Sequence, residues 1–139
     1  MEDDGSPQVS LYIYGDGLDP EGITIALGHA PTKAWRKGET KPSKLPQGGS
    51  IAATGLWMLR SESTSSAVPD HIAWLLARIA NRSCKSLGEL PGVEVAKIDV
   101  YLQVTGSGAD NFEVFADQLL SLGLLGVGLD CTTDFFPRC

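Results

Sequence analysis

Apolar and polar residues alternate with a period of two near the start of the chain, a pattern typical of a half-buried β-strand. The predicted inward face of this strand carries Val9, Leu11 and Ile13, and its outward face carries Tyr12 and Tyr14. Three later segments also contain predicted strands: 54–60, 93–104 and 124–136, the last interrupted by Gly126 and Gly128. The chain is therefore expected to form a β-sheet with two different faces.

Apolar residues also recur at helical spacing between the predicted strands. The first predicted helix begins at Asp19-Pro20-Glu21, an N-cap acid followed by a proline, and ends at Leu27-Gly28. The longest helix starts at Pro69 or Asp70, and its apolar stripe is Val68, Ile72, Leu75, Leu76 and Ile79. A third helix is expected to be capped by Asp110 or Asn111 and to stop at Gly123, with Phe112, Phe115, Leu119 and Leu122 inward.

These elements predict a single-domain α+β sandwich. Its sheet is expected to have four or five mostly antiparallel strands, with the helices packed on one face. A strand, a glycine-rich turn and a capped helix with a Leu-Gly stop occur twice, which indicates two related βαβ halves; ordinary turn chemistry explains the similarity equally well. Residues 1–7 are predicted to be a disordered acidic tail, 8–139 the domain, and the region near 40–50 a mobile loop.

Charge is distributed unevenly along the sequence. The net charge of −6 argues against general binding to nucleic acid or to an anionic membrane, and it suits a basic partner. Six of the eleven basic residues nevertheless lie between positions 30 and 60, where Glu39 is the single acid. This basic segment is loop-rich, because prolines and glycines interrupt any continuous helix there.

Nothing in the sequence is a catalytic signature, and no metal or cofactor is predicted. Cys84, Cys131 and Cys139 form no C-x-x-C pair, and reduced thiols in a cytoplasmic protein are the expected state. Asp16, Asp19 and Glu21 resemble a carboxylate cluster, but turn and cap duty explains them. His71 is expected to be structural. The oligomeric state is left open.

The candidate binding residues lie in or beside the basic segment: Lys33, Trp35, Arg36, Lys37, Trp57 and Arg60. The two tryptophans could line a pocket, although such rings more often belong to a core or its rim. The cations could form a recognition surface. Alternatively, they could be an ordinary solvated face, or fold back on the acidic body of the same domain.

The run from Gly28 to Glu39, Gly-x-x-Pro-Thr-x-x-Trp-Arg-Lys-Gly-Glu, resembles the hallmark of an uncharacterised bacterial family, domain of unknown function forty-two seventy-nine. Three further features are similar to it: the Asp-Pro-Glu helix start, Gly55-Leu56-Trp57 and His71-x-x-Trp74-Leu75-Leu76. The resemblance covers nearly the whole chain and implies no established activity. Some small domains of this general kind act as antitoxin or immunity partners.

Two classes of function remain. The first is a non-catalytic protein-binding module, most concretely an immunity or antitoxin-like protein that covers a basic toxin with its acidic surface. The second is a small-molecule-binding or sensing domain, or an uncharacterised enzyme, that uses the region of Trp35, Arg36 and Trp57. The expected partner in the first class is a protein, with neither nucleic acid nor membrane involved.

Overall fold

Five strands form one mixed sheet, in the order β2–β3–β1–β4–β5. The computed structural model describes residues 7–41, 49–105 and 112–136. Its strands are β1 (Gln8–Gly15), β2 (Lys33–Trp35), β3 (Gly55–Arg60), β4 (Val95–Thr105) and β5 (Gly128–Phe136). The pairs β1–β3, β1–β4 and β2–β3 are antiparallel, whereas β4 and β5 are parallel. The predicted α+β class and mostly antiparallel sheet are confirmed.

The helices pack on one face of this sheet. They are α1 (Pro20–Leu27), α2 (Val68–Arg78) and α3 (Ala116–Leu125), with a short 3-10 helix at Leu87–Glu89. The period of two directs Leu11, Trp57 and Ile98 from neighbouring strands toward the helices. The helical residues buried with them are Ile23, Leu27, Ile72, Leu75, Leu122 and Leu125. The core therefore lies between the sheet and a single layer of helices, as the two-faced strand pattern predicts.

A close backbone approach closes the end of β1. A Cβ atom added at Gly15 would stand only 1.7 Å from the carbonyl oxygen of Gly92. Gly92 itself has a φ of 82°, in the left-handed region that favours glycine. Glycine at position 15 and at position 92 therefore allows these two chain segments to pass close to each other.

Both halves of the chain contain a β–α–β unit, as the internal similarity suggests. In the second half, β4 and β5 are adjacent and parallel. In the first half, β1 and β2 are parallel because both are antiparallel to β3, which lies between them. The helices α1 and α3 end alike, at Gly28 with φ 76° and at Gly126 with φ 78°.

The third helix differs from its prediction at both ends. It begins at Ala116, because Gln118 Oε1 accepts a hydrogen bond from the Phe115 N–H and so fixes the first turn there. It continues through the predicted stop at Gly123 to Gly126, and β5 accordingly starts at Gly128. Phe115 and Leu119, both predicted to face inward, are 47% and 50% exposed. The proposed caps, Asp110 and Asn111, lie outside the described residues.

Two predicted irregular regions are described only in part. Residues 1–6 of the predicted tail and 42–48 of the predicted loop lie outside the described residues. The flanks of that loop pair with each other: Thr40 forms a bridge with Ile51, and the Lys41 N–H donates to the Ser50 carbonyl at 2.8 Å. Strand β2 was not predicted, since three residues are too short to show an alternating pattern.

Candidate protein-binding surface

The face of the sheet opposite the helices carries three of the predicted binding residues. Alternation along β2 places Lys33 and Trp35 on this face, because Ala34 between them packs toward the core. Arg60 lies on the same face near the end of β3, since its neighbour Leu59 is a core residue. None of the three described helices packs on this side, and it is called here the open face.

Aromatic rings and ammonium groups are interleaved on the open face. The rings of Tyr12 and Tyr14 are nearly parallel, at 5°, with centroids 5.9 Å apart. The Trp35 ring has two ammonium nitrogens, those of Lys33 and Lys41, each 5.8 Å from its centroid. These distances are compatible with cation–π attraction, which keeps the lysines close to the ring. The β2 side of the open face is therefore both aromatic and cationic.

Two apolar side chains lie in the same cross-strand rows as these rings. Met58 is 0% exposed and stands between Tyr12 and Lys33 in the sheet, while Leu56 is 5% exposed. Tyr14 is only half-buried, yet burial raises its pKa against the opposing charge of Lys97. The open face is thus not a uniformly solvated polar surface, although no helix covers it among the described residues.

Arg36 and Lys37 point into a different environment, the acidic start of α1. The Arg36 guanidinium donates to the Asp19 carboxylate at 2.7 Å and also to the carboxylate of Glu21. The Lys37 ammonium lies 3.3 Å from the Asp16 carboxylate. These contacts bring part of the basic segment back onto its own domain, which is one of the alternatives left open by the sequence.

The contacts in this cluster shift the titration of its members. The hydrogen bond from Thr54, followed by the contact with Lys37, lowers the pKa of Asp16. Desolvation opposes ionisation of Asp19, but hydrogen bonds with Glu21 and Arg36 outweigh it and lower the Asp19 pKa. The hydrogen bond to Asp19 in turn raises the Arg36 pKa. All of these groups are accessible to solvent, so each pair contributes little to stability.

Trp57, the remaining predicted binding residue, belongs to the core. Its side chain is 0% exposed on the helix-facing side, and its indole N–H donates to Thr24 Oγ1 of α1 at 3.0 Å. Trp35 lies on the opposite side of the sheet. The sheet itself separates the two rings, so they do not form the walls of one pocket.

The β4–β5 side of the open face has the opposite charge to the β2 side. Asp130 pairs with the Lys97 ammonium at 2.8 Å, and this hydrogen bond raises the Lys97 pKa. Asp99 accepts from the Thr132 hydroxyl at 2.9 Å, and the carboxylate of Asp134 accepts from a tyrosine hydroxyl of β4. The charge of the open face therefore changes sign from one edge of the sheet to the other.

Other groups that could carry chemistry have structural partners. His71 is 2% exposed; its Nε2–H donates to the Ser65 carbonyl at 2.7 Å, and its Nδ1 accepts from the Ser61 hydroxyl at 2.9 Å. Cys84 and Cys131 are free thiols, and burial raises the pKa of each. Within residues 7–41, 49–105 and 112–136, no three His, Cys, Asp or Glu side chains gather as a metal site would require.

A shallow cleft lies beside α1, next to the acidic cluster. Its lining residues are Asp19, Gly22, Ile23, Leu90 and Pro91. Its cavity volume is about 80 Å³. Sites for drug-sized ligands usually span about 300–1,000 Å³, so this cleft is small for such a ligand.

These features define the class of the protein: an α+β domain whose sheet has one face covered by helices and one open face. The sequence profile of one family matches residues 6–135, and its description is domain of unknown function (DUF4279). Because this match covers nearly the whole chain, the protein belongs to that family, and the resemblance noted in the sequence is confirmed. No curated protein and no solved structure matches the chain. No helix in the described ranges is long and apolar enough to cross a lipid bilayer.

The sequence did not identify every residue that shapes these surfaces. The ion-pair partners Asp16, Asp19 and Glu21 were assigned to turn and cap duty, because their contact with Arg36 and Lys37 depends on how β2 is placed. The exposed leucines of α3 were also missed. A signal for them exists: leucines occupy five of the ten positions of α3, more than a single core-facing stripe requires.

Proposed function

We propose that this chain is a non-catalytic protein-binding module whose partner is a basic protein, in the manner of an immunity or antitoxin-like protein. One observation carries the proposal: part of the basic segment is engaged within the molecule. Arg36 and Lys37 contact Asp16, Asp19 and Glu21. The acidic excess of the remaining chain, which underlies the net charge of −6, is therefore what an approaching protein encounters first.

Long-range attraction of this kind favours rapid association with a basic partner. Complementary charge raises association rates and disfavors partners of like charge, and both effects weaken as salt screens the field. The cationic, aromatic part of the open face, with Lys33, Trp35 and Arg60, is proposed as a separate contact region for acidic or aromatic groups of the same partner. Cytoplasmic residence is part of the proposal, and the free thiols at Cys84 and Cys131 agree with it.

The alternative class, a small-molecule site built from Trp35, Arg36 and Trp57, receives less support from the geometry. Trp57 is in the core, Trp35 lies on the other side of the sheet, and Arg36 is engaged with carboxylates. The cleft beside Asp19 is lined by neither tryptophan. Protein binding requires only the surfaces already described and is therefore the preferred proposal.

The proposal is tested by capture and reconstitution. The purified full chain is used as bait at low salt, captured proteins are identified by mass spectrometry, and one is purified for calorimetric titration. We expect a basic partner whose affinity falls steeply as the salt concentration rises. Lys33→Ala/Arg60→Ala should weaken binding about tenfold, whereas Lys85→Ala, a control at another exposed lysine, should not. Turnover of a substrate by the purified chain, with no partner recovered, would move the function to the enzyme class.

A further inference from the structure

Helix α3 exposes an apolar surface on the side turned away from the core. Its buried side chains, Gln118, Leu122 and Leu125, account for the contact with the sheet and with α2. The large apolar side chains at or beside the other side are Phe115 (47% exposed), Leu119 (50%), Leu120 (64%) and Leu124 (71%). Single exposed apolar residues are common on proteins, but three on one short helix and a fourth at its N-cap form a patch, called here the α3 patch.

Two exposed carboxylates, those of Glu113 and Asp117, stand beside the α3 patch. The sequence has no lysine or arginine between Lys97 and Arg138, whereas it has six acids there: Asp99, Asp110, Glu113, Asp117, Asp130 and Asp134. Glu113 and Asp117 stand at the start of α3, are exposed, and form no salt bridge among the described residues. The patch therefore combines apolar side chains with two carboxylates that no described lysine or arginine pairs with in a salt bridge.

We propose that the α3 patch is the docking site for an amphipathic helix of the protein partner, one whose apolar stripe is flanked by lysine or arginine. This inference rests on the proposed function and assigns the contact surface and partner chemistry to it. The patch residues form two rows of i, i+4 pairs, Phe115 with Leu119 and Leu120 with Leu124, about 100° apart around the helix, against which another helix can pack. A basic border on the partner would meet Glu113 and Asp117.

A second copy of this chain fits the α3 patch less well. Two copies related by a twofold axis would bring the same acidic border together with itself, and like charges placed close together oppose association. The acids that border the patch would have to be desolvated without a cation to compensate them. Charge complementarity thus favours a basic partner over self-association.

The test uses three synthetic peptides of equal length with the full chain. One is an amphipathic Leu/Lys helix, one is the same helix with Glu in place of Lys, and one is a scrambled Leu/Lys sequence. Affinities are measured by fluorescence anisotropy, and the contact surface is mapped by amide chemical shifts of the ¹⁵N-labelled protein. We expect the Leu/Lys helix to bind at least about tenfold more tightly than the other two, with shifts centred on 115–125.

Matched variants separate the apolar contribution from the charge contribution. Leu120→Ser/Leu124→Ser should weaken binding of the Leu/Lys helix about tenfold or more, while Ile25→Ser should not, although Ile25 on α1 is 81% exposed. Glu113→Gln/Asp117→Asn should weaken binding at low salt by a smaller factor. Glu62→Gln/Glu89→Gln, which also removes two exposed acids, should leave it unchanged.

Three outcomes would overturn the assignment in distinguishable ways. Binding of the Leu/Lys helix with shifts on the open face around Trp35 would reject the α3 patch but leave the proposed protein-binding function standing. Absence of binding to every peptide would reject the patch and its partner chemistry, and the capture experiment would then decide the function separately. A wild-type dimer in sedimentation that Leu120→Ser/Leu124→Ser dissociates would assign the patch to a second copy.

Discussion

The two edges of the sheet differ in how their charged side chains are paired and in how much apolar surface they expose. At the β2 edge, a three-residue strand is followed by cations that contact carboxylates at the start of α1, and lysines lie beside the half-buried ring of Trp35. At the β5 edge, a nine-residue strand follows α3, which together with Phe115 at its N-cap carries four exposed apolar side chains, in a region without lysine or arginine. The cations that follow β2 have carboxylate partners within the chain, whereas Glu113 and Asp117 beside α3 form no salt bridge among the described residues.

This difference shows that a net charge describes a surface poorly. The most basic part of the sequence is the part that already contacts its own counter-charges, so less of its charge is left unpaired than its composition suggests. The α3 patch, by contrast, has exposed apolar side chains beside two acids that form no salt bridge among the described residues. Surfaces that remain unsatisfied within the chain are those for which a partner can offer most.

The largest loss of stability is expected when the buried ring of Trp57 in β3 is removed. Trp57→Ala would leave a cavity in the core and release its hydrogen bond to Thr24, and we expect a loss of about 3–5 kcal/mol, enough to unfold many domains. Denaturant unfolding followed by circular dichroism measures it. Trp57→Phe, which keeps an aromatic ring, should cost less. A Trp57→Ala protein with the wild-type melting temperature would mean that the ring does not support the core.

Removal of the Gln118 hydrogen bonds that hold α3 in place should cause an intermediate loss of stability. Gln118 is buried and links the Phe115 N–H to the Pro69 carbonyl, so Gln118→Ala leaves both groups without that partner. We expect about 1–3 kcal/mol of destabilisation, together with faster amide exchange in α3. Ser121→Ala, at an exposed position of the same helix, is the control. If Gln118→Ala were as stable as Ser121→Ala, apolar packing alone would fix α3. The β5 edge would then differ from the β2 edge, where polar side chains pair with each other.

Acid should weaken the β2 edge selectively. Because the pKa values of Asp16 and Asp19 are lowered in the folded protein, these carboxylates stabilise it above their ordinary pKa of 3.8. That contribution is lost as the pH falls from about 4 through the lowered values. Asp16→Asn/Asp19→Asn should therefore be less stable than the wild type at neutral pH, and this difference should shrink as the pH falls below about 4. A stability difference that stays constant across this range would argue against the ion pairs.

The smallest effect is expected when the cations of the basic segment are removed. Lys33→Ala/Arg36→Ala/Lys37→Ala should remain folded with a small change in melting temperature, since exposed ion pairs add little. The change should shrink at high salt, as measured by thermal unfolding at two salt concentrations. A large loss of stability would mean that the fold depends on the basic segment. The ion pairs at the β2 edge would then be essential to the fold and not only a means of pairing exposed charge.

Most of the fold followed from period and turn chemistry. The alternation of Val9, Leu11 and Ile13 identified β1 and its buried face, and Gly28 marked the end of α1, as the structure confirms. The sequence did not predict the start of α3, which depends on contacts of the Gln118 side chain. Gln118 sets the start of α3 through a bond within its own turn and another to Pro69, and no local pattern around Asp110 or Asn111 reveals either.

The candidate surfaces were less predictable than the fold. Lys33, Trp35 and Arg60 do share a face, but which side of a three-residue strand meets the helices is not visible in its sequence. Trp57 and Trp35 looked alike as candidates, and only the register between β2 and β3 separates them into core and surface. The binding role proposed for these residues stays a prediction, because surface chemistry alone does not name a partner.

The position of β1 has a consequence for how the chain folds. As the first strand along the sequence, β1 lies at the centre of the sheet and bonds to β3 on one side and to β4 on the other. Both partners are synthesised later, with α1 and α2 in between, so an emerging chain carries an unpaired apolar strand for much of its synthesis. Contacts so distant in sequence slow folding and prolong exposure to aggregation. Expression of this protein should therefore depend on chaperone capacity more than its small size suggests.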